Sequence, residues 1–84
     1  MSSTTATARR AYIAHRAGNF AAAAQGWEAL YVEALNEALT EQAVGIVRSA
    51  YVEFVAGGCP PTWPSLAACC RELAVLAAAK QEKS

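Results

Sequence analysis

The cysteines and the single histidine are the residues of this 84-residue chain whose types could do chemistry. Cys59, Cys69 and Cys70 carry thiols, and His15 is the one conventional base. A catalytic thiol needs a base within hydrogen-bonding reach, and nothing in the spacing brings His15 to any of the three. The chain has no Asp, and its seven Glu residues do not form a carboxylate pair of recognisable spacing. We therefore predict that the protein is not an enzyme.

The spacing of the possible metal ligands does not match a structural zinc site. Such a site takes four ligands at characteristic intervals, whereas these cysteines stand ten and one residues apart and His15 is distant. Neighbouring residues on a helix point about 100° apart, so Cys69 and Cys70 are poorly placed to bridge each other. We expect no metal and no cofactor, with the thiols serving as small apolar residues in a reducing compartment. A redox role for Cys69 and Cys70 is the alternative.

The basic residues are concentrated at the start of the chain. Arg9, Arg10 and Arg16 precede every acidic residue, and Arg9 and Arg16 stand seven positions apart, on one helical face. Contact with nucleic acid is conceivable at these three residues, but so few arginines give weak, salt-sensitive binding. Seven basic residues balance seven acidic ones over the whole chain, and Gly57-Gly58 lacks the Lys-Ser/Thr of a phosphate loop. We expect no direct nucleic-acid binding.

The composition predicts one small helical domain over residues 1–84. Hydrophobic residues make up 55% of the chain, charged residues 17%, and about a quarter of all residues are Ala, a strong helix former. The longest apolar stretch, residues 73–79, is far too short to span a bilayer, and no apolar run follows the early arginines as a signal peptide requires. We expect a cytoplasmic protein without a membrane segment.

Apolar spacing and capping residues predict an all-α bundle of four short helices. They are expected at Thr7 to Ala17, from the N-cap Asn19 to Leu39, from Glu41 after the cap Thr40 to Ala56, and from a Thr62 or Ser65 cap to Lys80. Pro64 is expected in the first turn of the last helix. The remaining segments are predicted as a flexible start at residues 1–6, a Pro/Gly turn at 57–64 and a frayed tail at 81–84.

The second predicted helix carries the strongest apolar pattern in the chain. Seven positions repeat at spacings of three and four: Trp27, Leu30, Tyr31, Ala34, Leu35, Ala38 and Leu39. The alanines at 21–24 are small enough to let a neighbouring helix approach closely. We expect this stripe to organise the core.

The aromatic side chains exceed what so small a core needs. A chain of this size buries about 60–65% of its extended surface, so a lone monomer is marginally stable. Trp and Tyr are over-represented at interfaces. The candidates for partner binding are Trp27, Tyr31, Tyr51, Phe54 and Trp63. The alternative for each is a place in the core; together they favour a homodimer or a partner surface.

The string from Gly18 to Trp27 reads Gly-Asn-Phe-x-x-Ala-Ala-x-x-Trp. A helix-turn-helix of this kind resembles one tetratricopeptide unit, although one unit cannot form a solenoid. The string is also similar to the ANR family of small bacterial regulators and, more loosely, to PerC-like proteins, over about residues 8–52. In that pattern a second block with an Arg and then an aromatic follows the Trp. The matching positions are Gly18, Phe20, Ala23, Ala24, Trp27, Arg48 and Tyr51.

The resemblance implies a non-enzymatic modulator of transcription that binds other regulators, such as AraC-type activators or nucleoid-associated silencers. We therefore predict a protein–protein interaction module in which an apolar helix face covers a partner's dimerisation or effector surface. One alternative is a phage- or plasmid-encoded inhibitor of a host enzyme or defence complex. The other is a thiol-based sensor or small-molecule binder that uses Cys59, Cys69 and Cys70.

Overall fold

The structure, a computed structural model, describes residues 3–58 and 62–83. The chain forms helices α1 (Ser3–Ala17), α2 (Phe20–Leu35), α3 (Glu41–Ala50) and α4 (Leu66–Lys83), and α3 continues directly into a π-helical turn, Tyr51–Val55. The prediction of a small all-α bundle of four helices is confirmed. None of the helices in the described ranges is long and apolar enough to cross a membrane.

The four helices pack in a ring. α1 lies against α2 and α3, and α4 lies against α2, α3 and the π turn. α2 and α4 run antiparallel, because Lys80 near the end of α4 lies 5.4 Å from the ring of Phe20 at the start of α2. The largest fully buried side chains fill the centre of this ring: Trp27, Leu30, Val47, Cys69, Cys70 and Leu73. The core predicted around Trp27 and Leu30 is thus the core that forms.

Three predicted caps start helices where expected. The side chain of Asn19 accepts from the N–H of Ala22, at 3.4 Å, and begins α2. Thr40 caps α3 and Ser65 caps α4 in the same way, at 3.1 and 3.2 Å. Each such cap satisfies an otherwise unpaired donor and stabilises a helix by about 1 kcal/mol. Of the two caps considered for the last helix, Ser65 is the one used.

The first helix begins four residues earlier than predicted, so the expected flexible segment 1–6 is wrong for residues 3–6. Thr4 is buried, and its hydroxyl lies 3.4 Å from the donating N–H of Thr40. Thr5 and Thr40 share a further hydroxyl–hydroxyl bond of 2.6 Å. These contacts tie the start of α1 to the start of α3, and no local sequence rule predicts a bond between residues so far apart.

The second helix ends at Leu35 rather than at the predicted Leu39. Glu37 adopts the left-handed conformation, with φ of 54°, and its N–H donates to the carbonyl of Ala34. The N–H of Ala38 donates back to Glu33, which completes a Schellman motif. This position usually holds Gly, so a Glu there gave no stop signal. Leu35 and Ala38, predicted within the core stripe, are exposed.

The rest of the chain after α3 differs from the prediction in two ways. The hydrogen bonding directly after α3 is different, and so are the start and the end of α4. The N–H of Ala56 donates to Tyr51, five residues back, so the predicted end near Ala56 is reached through a π turn. Pro64 precedes α4 instead of lying in its first turn. α4 continues to Lys83, so the predicted frayed tail is wrong for residues 81–83. The predicted turn 57–64 is non-helical at 57–58 and 62–64, and its residues 59–61 lie outside the described ranges.

Candidate functional site

The most exposed aromatic side chain among the predicted partner-binding residues is Trp63, which lies just before α4 and is 53% exposed. Its ring centroid is 4.9 Å from the guanidinium carbon of Arg48 and 6.4 Å from the ring of Tyr51. A groove of about 400 Å³ opens beside it, on α3 and the π turn. We call this surface the Trp63 patch; it consists of Arg48, Ser49, Tyr51, Val52 and Trp63.

Arg48 is the charged centre of the Trp63 patch. Its guanidinium lies over the Trp63 ring, in a cation–π contact that is stronger where water is excluded. The Nη1 atom is buried and has no hydrogen-bond partner among the described residues. A buried, unsatisfied donor of a charged group raises the free energy of the folded protein.

The π turn positions two residues of the Trp63 patch. Such turns occur frequently at functional sites, because the extra residue re-aims neighbouring side chains. Here Tyr51 and Val52 contribute to the patch, while Phe54 packs back toward α1. Glu53 lines the rim of the groove and accepts a hydrogen bond of 2.9 Å from the hydroxyl of Tyr12 on α1. Glu53 and Phe54 of the π turn are therefore held by contacts to α1.

His15 is the buried residue on which Phe54 rests. The two rings stack with centroids 4.1 Å apart and 20° between their planes, and Phe20 meets the imidazole edge-on. The indole N–H of Trp27 donates to His15 Nδ1 at 3.3 Å, so the neutral ring carries its proton on Nε2. Nε2 is buried and has no hydrogen-bond partner within residues 3–58 and 62–83. Burial lowers the pKa of His15, the nearby Lys80 ammonium lowers it further, and Glu53 opposes both.

We expect the protein to lose stability as the pH falls through the range in which His15 titrates. The folded chain binds this proton less readily than the unfolded chain, so the stabilisation is complete above the unfolded pKa of about 6.5 and declines at lower pH. The loss is about 1.4 kcal/mol for each pH unit over which only the unfolded chain is protonated. Urea unfolding at pH values from 7.5 to 5.5, about one unit either side of that pKa, measures the slope.

His15→Asn is the matched control for this pH dependence. Its side-chain oxygen can still accept from the Trp27 N–H, but the group does not titrate. The chain contains no second histidine, so the variant should show a flat profile over the same pH range. Equal slopes in the two proteins would contradict the assignment to His15.

The structure places the five aromatic residues that were predicted to bind a partner in different environments. Trp27 is completely buried and cannot contact a partner, so that assignment is corrected. Phe54 is half-buried against His15 and belongs to the support rather than to the surface. Tyr51 and Trp63 come together in the Trp63 patch. Tyr31 lies elsewhere, in the groove between α2 and α4.

The three arginines considered for nucleic-acid contact lie on the exposed surface of α1. Arg9, Arg10 and Arg16 are all exposed, and Arg10 lines the groove between α1 and α2. Arg16 donates to the hydroxyl of Tyr12 at 3.3 Å, which turns it toward the Glu53 side of the bundle. The three residues therefore do not share a single binding site.

The two described cysteines are fully buried and chemically quiet. Burial raises the pKa of Cys69, and burial together with Cys69 raises the pKa of Cys70 to about 12. The thiolate is the reactive form, so both groups are held in their unreactive state. The burial of both thiols favours the predicted packing role over a redox role for Cys69 and Cys70. Cys59 lies outside the described residues.

Sequence reasoning found the aromatic members of the patch but not Ser49 and Val52, nor Glu53 at its rim. These three residues carried no pattern that separated them from ordinary helix positions. Arg48 entered only through the family resemblance. The available signal was its three-residue spacing to Tyr51, which places the two side chains on neighbouring turns of one face.

Comparison with protein families, with curated proteins and with solved structures finds no match for this chain.

Proposed function

We propose that this protein is a cytoplasmic, non-enzymatic interaction module that binds a transcription regulator through the Trp63 patch and occludes a functional surface of that partner. The observation that carries the proposal is the arrangement of Trp63, which is 53% exposed, stacked on Arg48 and adjacent to an open groove.

The chemistry of the patch is that of a protein-binding hot spot. Trp, Tyr and Arg are the residue types that dominate binding energy at interfaces, and they act best when clustered. Arg48, Tyr51 and Trp63 form such a cluster. Val52 adds apolar surface within the groove, and Glu53 forms a polar rim held by Tyr12. This is the usual layout of an apolar centre with a polar margin.

The regulatory part of the proposal rests on the resemblance to small bacterial regulators. Two of the positions that match that pattern, Arg48 and Tyr51, lie in the Trp63 patch. Another, Trp27, fills the core beneath it. This division fits a chain whose pattern residues serve partly to build the fold and partly to bind.

We expect Trp63→Ala to abolish capture of the physiological partner. Removing a hot-spot residue weakens binding by about 2 kcal/mol or more, which is roughly a 30-fold loss of affinity. The measurement is capture of the tagged protein from its native host, followed by mass spectrometry and by titration of the purified partner. Ile13→Ala is the matched control, because Ile13 is 64% exposed and lies on α1, away from the patch.

The identity of the captured protein separates the alternatives. A DNA-binding regulator that is lost with Trp63→Ala and kept with Ile13→Ala supports the proposal. A nuclease or metabolic complex lost in the same way supports the inhibitor function at the same surface. A partner that binds both variants equally would contradict the assignment of the site. Unchanged circular dichroism shows that a loss is not due to unfolding, which is expected because Trp63 is exposed.

A further inference from the structure

A second surface of the bundle, formed by α2 and α4, carries most of the remaining exposed apolar side chains. Val32 is 53%, Leu35 59% and Val75 61% exposed. On α2, positions 28, 31, 32 and 35 recur at spacings of three and four and so lie along one stripe. We call this surface the α2–α4 face; its residues are Glu28, Tyr31, Val32, Leu35, Arg71 and Val75.

Two concavities follow one another along the α2–α4 face. The first, about 300 Å³, lies between Tyr31 and Val75, with Ala74 and Ala78 among its lining residues. The second, about 530 Å³, lies where Leu35 meets Leu66 at the start of α4. Tyr31 and Leu35 are one helical turn apart, which is about 6 Å along α2. The face therefore combines protruding apolar side chains with two adjacent hollows, of which the first is the more apolar and the second also carries Glu37 and Ser65.

We propose that the α2–α4 face is the homodimer interface, occupied by a second copy of this chain. In a two-fold interface the same surface is used twice, so it must be complementary to itself. Here the protruding Val32, Leu35 and Val75 of one copy can enter the hollows of the second copy. The same side chains of the second copy can enter the hollows of the first copy.

The charges of the face favour a second copy of this chain over a partner whose surface is strongly acidic or strongly basic. Glu28 and Arg71 both line the first concavity, so this hollow carries one acidic and one basic group beside the apolar centre, and Glu37 adds an acidic group at the second concavity. Two copies can pair each Glu28 with the other copy's arginine. A strongly acidic or strongly basic partner would leave one of the two groups facing a like charge. The chain as a whole has a formal net charge of zero, so two copies do not repel each other at long range.

The area of the face is sufficient for a reversible dimer. α2 has 16 residues and α4 has 18. Helices of that length are about 24–27 Å long and about 10 Å in diameter, and they pack about 10 Å apart, so the pair presents a strip about 20 Å wide with an area of roughly 500 Å². Two such surfaces bury about 1,000 Å², the lower limit for a specific interface. We therefore expect a dimer that dissociates on dilution.

The dimer and the Trp63 patch use different residues. α2 and α3 occupy opposite positions in the ring, because each packs against α1 and α4. A dimer formed through α2 and α4 therefore leaves Arg48, Ser49 and Val52 uncovered in both copies, while Trp63 stands two residues before Ser65, at the edge of the second concavity. Such a particle presents two identical sites, which suits a partner that is itself a dimer.

Sedimentation of the purified full chain over a range of concentrations tests the interface. The wild type is expected to shift from its monomer mass of 8.8 kDa to twice that value as concentration rises. Val75→Glu and Leu35→Glu are expected to keep the monomer mass throughout, because each buries a charge in the apolar centre. Ile13→Glu is the matched control; Ile13 is 64% exposed, like Val75, but lies on α1.

Charge reversal adds a test that loss of folding cannot imitate. Glu28→Arg places like charges across the interface and should weaken the dimer by several-fold. Combining Glu28→Arg with Arg71→Glu restores opposite charges and should restore the dimer.

Three outcomes would overturn the interface. They are a wild type that stays monomeric, a dimer that survives Val75→Glu, and a dimer that Ile13→Glu disrupts as strongly as Val75→Glu does. None of them affects partner capture through Trp63, so the two proposals fail separately.

Discussion

Trp27→Ala is expected to lower the free energy of unfolding by about 3–5 kcal/mol, the range observed when a large aromatic side chain is removed from a core. Small domains have a total stability of about 5–15 kcal/mol, so this one change removes a large share of it. Trp27 is the largest fully buried side chain in the described ranges. The loss combines the apolar surface no longer buried with the cavity left behind.

Removal of Trp27 also disturbs a polar contact in the core. Its indole N–H donates to His15 Nδ1 at 3.3 Å, and His15 is itself buried. Without the indole, both ring nitrogens of His15 lack a partner among the residues that the structure describes, since Nε2 already has none there. An unsatisfied buried group costs about 1–3 kcal/mol. We therefore expect the loss to lie toward the upper end of the range.

The chain provides its own control in its second tryptophan. Trp63 is 53% exposed, so its removal should cost little beyond its contact with Arg48, which is worth about 0.5–1 kcal/mol at an exposed site. Denaturant unfolding followed by circular dichroism measures both variants against the wild type. A large shift of the midpoint for Trp27→Ala and a small one for Trp63→Ala is the expected result. Similar shifts for the two would mean that Trp27 does not hold the core together.

The parts of this fold that could be predicted from the sequence are those decided by neighbouring residues. The spacing of Trp27 and Leu30 fixed the buried face of α2, and short-range hydrogen bonds from Asn19, Thr40 and Ser65 start three of the helices. The left-handed Gly18 separates α1 from α2. Each of these features depends on residues within one or two turns, where periodicity and capping rules apply.

The features that were missed depend on distant contacts or on an unusual residue. The start of α1 is held by Thr4 and Thr5 against Thr40, more than thirty residues away. The end of α2 uses Glu37 in a conformation that favours glycine. The candidate site also depends on a distant contact, because Trp63 and Arg48 are separated along the chain by the π turn and the segment after it.

The sequence did not single out Gly26 of α2 as a point of close helix contact. The alanines at 21–24 were expected to allow it, and of these Ala23 is buried while Ala21 and Ala22 are exposed. The tight contact lies at Gly26, where a Cβ atom would stand 2.7 Å from the Cβ of Ala11 and 3.3 Å from its Cα. A single Gly in a helix reads as a weak helix former, so its packing role was not visible before α1 was placed.

Gly26→Ala is therefore expected to destabilise the protein by about 1–2 kcal/mol. Overpacking a tight contact costs about 1–3 kcal/mol, and the better helix propensity of Ala returns about 0.5–1 kcal/mol. The contact cannot relax through a flexible side chain, because it involves the Cβ and backbone of Ala11. α1 must move away from α2, which loosens the buried residues Ala8 and Ala11.

Gly45→Ala makes the same chemical change in α3, where nothing lies within 4 Å of the added Cβ. Only the propensity term remains there, so this variant should be more stable than the wild type by about 0.5–1 kcal/mol. Thermal and denaturant unfolding of the two variants should thus give shifts of opposite sign. Stabilisation by both substitutions would show that α1 and α2 are not in tight contact at Gly26. The packing of α1 against α2 described above would then be wrong.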